Sequence, residues 1–173
     1  MNTSSANTTS TNTPSVNTTY ASNANDRQTM LEKPTDRIDR SPWPDAIRRE
    51  FEQEARQPDG RVGQYLLAET DGLRIWMIKL APGERVGFHR HVLDYSWTSV
   101  TGGHGRQHIM DGTTAEYGYE AGETRHETYA AGASKVHDLQ NIGDADLVFL
   151  TIERKRSANP PLPLPETRQG AAA

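Results

Sequence analysis

His89 and His91 are the residues of this chain whose type and spacing first suggest chemistry. One residue separates them in a stretch that reads as a β-strand, so both side chains leave the same face about 7 Å apart along the chain. Two imidazoles placed this way can converge on a divalent metal at about 2.0–2.1 Å each, provided that a third ligand arrives from another strand. The same pair also suits a half-buried strand with surface or hydrogen-bonded histidines, so the surrounding residues must decide. The chain has no Cys. Disulfides, thiolate metal sites, iron–sulfur clusters and a Cys nucleophile are therefore excluded, and His and carboxylates remain as candidate ligands. His104 and His108 bracket Arg106 on one strand face, where they read either as a solvated face or as polar pocket groups. His126, between Arg125 and Glu127, reads as structural or exposed.

The elements that must position these residues are strands. From Gly60 onward, turn dipeptides recur at Asp71-Gly72, Pro82-Gly83, Gly102-Gly103, Asp111-Gly112, Ala121-Gly122, Ala131-Gly132 and Gly143-Asp144. Between them lie β-rich stretches at about 63–69, 73–80, 86–92, 95–101, 104–110, 113–119, 124–130, 134–141 and 146–154. Short strands at this spacing, with no helical segment long enough for a parallel crossover, predict an all-β antiparallel sandwich or barrel. Leu147-Val148-Phe149-Leu150 is apolar on both alternations, which predicts a last strand covered on both faces. A short helix is expected over 44–56, because Pro44 suits a first turn and Trp43, Ile47, Phe51 and Ala55 repeat every four residues. Its narrow apolar stripe should lie against the outside of a sheet.

The stretch Gly83-Glu84-Arg85-Val86-Gly87-Phe88-His89-Arg90-His91 and onward to Tyr95 and Gly102 resembles the first motif of the cupins. In that motif a Gly precedes the HxH pair, a Glu follows it, and another Gly lies beyond. Both histidines and the glycines match, while Tyr95 stands in the Glu position. Gly132 to Asn141 resembles the second motif, with His137 and Asn141 in place. It departs from the motif in having Ala130 where a Pro is usual, and Lys135-Val136 lengthen the spacing before the His. The resemblance covers about residues 60–155 and implies a jelly-roll barrel.

The same resemblance implies that His89, His91 and His137 hold one divalent metal per chain, with His126 in reserve should the insertion shift the strand. Three histidines without a carboxylate resemble the ligand set of iron(II) cupin dioxygenases, and zinc, manganese or nickel would suit a non-redox lyase or isomerase instead. A binding module without turnover is the third class, since a fold does not choose among functions. Tyr95 is open to three roles: a ligand, a proton shuttle, or a pocket wall that hydrogen-bonds a bound oxygen. Period-two alternation places Trp97 on the same inward face as Tyr95. An inward arginine could pair with the carboxylate of a small organic acid, and Arg106 is the candidate. Cupins of this size also imply a homodimer, with outward Phe88 and the Pro-rich arm after Asn159 covering an open edge.

The remaining composition narrows the classes. Residues 1–25 hold 6 Asn, 7 Thr and 5 Ser with no charged side chain. Such a head lacks the apolar groups that could offset the entropy of ordering it, so residues 1–40 are expected to be an unstructured head and linker. It has neither the basic start nor the apolar stretch of a secretory signal, which makes a cytoplasmic protein the expectation. No apolar run approaches the about 18–20 residues that span a bilayer. The net charge of −4 is spread along the chain and leaves no basic footprint for nucleic acid. Pro160-Pro161-Leu162-Pro163-Leu164-Pro165 predicts polyproline II, an arm packed on the barrel or on a partner.

Overall fold

A computed structural model of the chain describes residues 37–165. The uncharged head and the residues that follow it up to position 36 lie outside the described residues. One helix, α1 (Asp45–Arg56), precedes nine consecutive strands: β2 (Tyr65–Glu69), β3 (Leu73–Leu80), β4 (Arg85–His91), β5 (Tyr95–Ser99), β6 (Gly103–His108), β7 (Thr114–Tyr119), β8 (Thr124–Glu127), β9 (Lys135–Asn141) and β10 (Leu147–Arg154). A short strand, β1 (Arg37–Asp39), comes first and pairs antiparallel with β7. It falls within the stretch 1–40 that composition assigned to an unstructured linker. Three ladder residues have too short a pattern to read, and β1 is specified by the open edge of β7 rather than by its own alternation.

The strands form two five-stranded antiparallel sheets, ordered β1-β7-β6-β9-β4 and β2-β3-β10-β5-β8. Turn chemistry closes them where the dipeptides stood: Gly83, Gly112, Gly122 and Gly132 all take φ between +80° and +86°, a backbone region that glycine enters without a Cβ clash. Ile78, Leu80, Tyr119, Leu139, Leu147 and Phe149 pack into one core between the sheets. Leu80 and Leu147 are fully buried, and each such side chain contributes about 1.5–3 kcal/mol through removal from water. Ile78, Tyr119, Leu139 and Phe149 also floor a cavity of about 440 Å³ between the sheets.

Two expectations from sequence are corrected. β10 is buried on its inner face at Leu147 and Phe149, but Val148 and Leu150 are only half-buried and Ile152 is exposed. β10 lies between β3 and β5 in the sheet, and its outer face is only partly shielded. Phe88 does point outward, yet the chain covers it itself. Its ring lies 5.6 Å from Trp43 and 5.2 Å from Phe51, so the helix that Pro44 opens closes over β4. Ion pairs from Glu50 to Arg85 and from Glu54 to Arg90 fix the helix on that strand.

Candidate metal centre

β4 and β9 pair antiparallel with His89 opposite His137 and His91 opposite Lys135. Directly opposed residues share a face, so all four side chains project between the sheets. A register shift between Val86 and His89 lets the ring of His89 turn back on its own strand, where its Nδ1–H donates to Gly87 O at 2.9 Å. His137 is oriented by a group that the sequence did not flag: its Nδ1–H donates to Gln107 Oε1 at 2.8 Å, and Gln107 Nε2 donates to Tyr119 OH at 3.0 Å. Both rings thereby keep their protons on Nδ1 and turn a bare Nε2 towards the shared space.

His91 Nε2 lies 3.1 Å from His137 Nε2, while His91 Nδ1 is buried with no hydrogen-bond partner among the described residues. Since His137 Nε2 is bare, His91 supplies the single proton between them. A metal could take that proton's place once the proton shifts to the unpartnered His91 Nδ1, because two Nε2 atoms about 3 Å apart can both reach an ion at about 2.0–2.1 Å. Potential ligand atoms of His89, His91 and His137 all lie within 4.8 Å of one another. Burial, and then the nearby His89 and Lys135, hold His91 and His137 well below the usual imidazole range, and burial lowers His89 as well. Three neutral imidazoles carry no proton that a cation must displace against charge. These residues can hold one divalent ion.

The opposite sheet supplies the rest of the wall. Tyr95 of β5 is buried and its ring stacks on His91, centroid to centroid 4.1 Å at 17°. Burial, and then the charge of Glu127, raises its phenol well above the usual value. The register places Glu127 opposite Tyr95 and Arg125 opposite Trp97, and all four line the cavity. Two five-stranded antiparallel sheets thus enclose a chamber into which an HxH strand and a neighbouring His strand both point. The chain has the cupin fold.

No family model matches the chain. The chain is 26% identical over 134 residues to oxalate decarboxylase of Bacillus subtilis, an alignment covering 73% of this chain and 32% of that protein. The chain therefore spans about a third of that relative's length. Among solved structures it is similar to a cupin domain from Bordetella pertussis, with TM-score 0.47 and 21% identity over 57% of this chain and 97% of the other. A protein with a double-stranded β-helix domain from Klebsiella pneumoniae gives TM-score 0.43 at 21% identity, covering 53% and 74%.

Of the residues singled out in the sequence, the fold brings His89, His91, His137, Tyr95 and Trp97 to one cavity. Arg106 does not join them. Its guanidinium donates to Glu116 Oε1 at 2.8 and 3.0 Å across the β6–β7 ladder, because on β6 it is Gln107 that faces the cavity. Arg125 lines the cavity in its stead, bonded to Glu123. His104 is exposed. His108 is buried rather than solvated, and its Nδ1–H donates to Asp138 Oδ2 at 2.7 Å beneath Trp43. His126 is exposed at the cavity rim, 2.6 Å from Ser96 Oγ. Asn141 ends β9 and braces the turn after it: its amide donates to Leu80 O and Ala145 O and accepts from Gly143 N.

Sequence reading missed Gln107, Arg125, Glu127 and Lys135. Lys135 Nζ bonds both carboxylate oxygens of Glu127, which also accepts from Tyr129 OH. Alternation from Trp97 across a paired strand could have found Arg125, but the pairing itself was not legible. Glu153 was missed as well: it is fully buried, accepts from Trp76 Nε1 at 2.8 Å, and burial pushes its carboxyl up to about 7.

Proposed function

We propose that this cupin is a metal-dependent enzyme acting on a small organic acid, and that its reaction is an iron(II)-dependent dioxygenation. The observation that carries the reading is the ligand set: three neutral imidazoles meet in a cavity, and Tyr95 stands where the first cupin motif has Glu. A bound divalent ion would supply a Lewis acid with open positions and, as iron(II), a redox partner for O₂. The protein's own contribution is recognition and dryness. Arg125 and Lys135 give the cavity cationic groups on two walls, which suits a substrate carboxylate. Tyr95 and Trp97 exclude water from the face they cover, and a dry wall strengthens those charge contacts. Glu127, held by Lys135 and Tyr129, can take or return a proton at the edge of the chamber. A homodimer is part of the same proposal, since exposed Tyr65 and Ile152 leave apolar surface on the second sheet for a second copy to cover.

A non-redox lyase is the second reading, favoured by the curated relative, whose name describes decarboxylation of a small dicarboxylate. Oxygen-electrode and CO₂ measurements on protein loaded with iron(II) decide between them across small acids, thiols and diketones. Substrate-dependent O₂ uptake that zinc does not support is the expected result; CO₂ release without net O₂ consumption would replace dioxygenation by lysis. In the same assay Tyr95→Phe is expected to retain the metal and to lose turnover on the order of 10²-fold, the scale of a proton-transfer contribution. Metal loss would make Tyr95 a ligand, and an unchanged rate would leave it as a wall.

A further inference from the structure

We propose that Asn159, in the C-terminal arm, is a positioning residue for the metal centre, which it serves by tying together the two loops that join the ligand strands to the cavity wall. One loop, residues 92–94, runs from His91 at the end of β4 to Tyr95 at the start of β5. The other, residues 128–134, runs from Glu127 on β8 to Lys135, two residues before His137 on β9. The buried Asn159 side chain reaches both. Its Nδ2 donates to Val92 O at 3.0 Å in the first loop and to Ala130 O and Ala133 O at 3.0 and 3.3 Å in the second, while Oδ1 accepts from Gly132 N at 2.6 Å. Neighbouring bonds run the same way. Asp94 N donates to Ser157 Oγ at 2.9 Å, and Tyr129 N donates to Asp94 Oδ1 at 2.9 Å.

The arm beyond is anchored rather than trailing. Arg74, itself buried, donates from Nη1 to Leu162 O at 3.1 Å, and Gly60 N donates to Pro163 O at 2.8 Å. A Cβ on Gly60 would stand 2.5 Å from Leu162 O, so the approach itself requires glycine. The prolines at 160, 161, 163 and 165 restrict the arm to an extended form before it docks, which lowers the entropy lost on ordering it. Only an amide offers donors and an acceptor together from one short side chain; Asp keeps the shape but lacks the donors. His91 and His137 lie on different strands, and their 3.1 Å separation holds only while the ends of those strands stay in place. Loosening both loops at once should weaken the chelate on the scale of 10–100-fold seen for groups that orient metal ligands.

This inference rests on the three-histidine reading, and its test separates the two. Full-length wild type, Asn159→Ala, Asn159→Asp and the core control Leu147→Val are compared for cobalt(II) affinity against a chromophoric chelator. Amide exchange at Asp94, Tyr129 and Gly132 is followed in the metal-free proteins. Expected are at least a tenfold loss of affinity in both Asn159 variants, faster exchange at those three amides, and affinity within twofold of wild type for Leu147→Val despite a lower Tm. Unchanged affinity in Asn159→Ala overturns the proposal, as does an equal loss in Leu147→Val. Wild type that takes up no cobalt removes the three-histidine reading along with the positioning role, whereas metal-binding wild type with unaltered exchange at the three amides removes the positioning role alone.

Discussion

His91→Ala is expected to bring the divalent-metal content of the protein from close to one ion per chain to near zero, with cobalt affinity reduced by at least 10³-fold. The argument is one of donor count and placement. His91 Nε2 lies 3.1 Å from His137 Nε2 and His91 Nδ1 has no hydrogen-bond partner among the described residues, so apart from its stacking on Tyr95 this ring has no structural contact to lose except those that face the ion. Removing it leaves two imidazoles, fewer than the three protein ligands of an open catalytic site. The fold should survive, because deletion also removes a buried imidazole stripped of water. Competitive titration checks affinity, and circular dichroism checks the fold. Retained affinity in a folded His91→Ala protein would place the ion elsewhere.

Asp138→Ala carries the largest expected effect on stability, a loss of about 3–5 kcal/mol in urea unfolding. Asp138 is fully buried on the outer side of β9. Its two oxygens accept from His108 N at 2.6 Å, His108 Nδ1 at 2.7 Å and Arg85 Nη1 at 2.5 Å, and Arg85 continues to Glu50 on α1. Truncation leaves a guanidinium and an imidazole N–H facing a void beneath Trp43, the arrangement in which removing one partner costs more than the pair contributes. A loss below about 1 kcal/mol would mean that water enters and replaces the carboxylate. Because His137 is the next residue on the same strand, metal affinity measured on the same variant reports how far the outer network supports the inner site.

How much of this was legible in the sequence follows from the range of the interactions involved. Strands β2–β10 were readable because glycine turns and local alternation are properties of a few adjacent residues. The HxH pair and His137 were readable through motif spacing. What failed was long-range. Arg106 and Arg125 are both arginines on strands, and which one faces the cavity depends on strand phase: β6 turns Gln107 inward, and the β5–β8 register sets Arg125 beside Trp97. His108 looked solvated because its partner Asp138 is 30 residues away and its cover, Trp43, lies before the barrel. Phe88 read as outward cover for an open edge because the helix that buries it is held by ion pairs that no periodicity displays. Asn159 sits in a segment whose prolines announced an arm, but its side-chain bonds reach back as far as 67 positions.

The most direct test of the metal centre is elemental analysis of protein purified without a histidine tag, as wild type, His137→Ala and His126→Ala. The account predicts close to one divalent ion per chain in wild type and in His126→Ala, whose ring is exposed at the rim, and near zero in His137→Ala. Full metal content in His137→Ala with loss in His126→Ala, or wild type that neither carries nor takes up an ion, would contradict it.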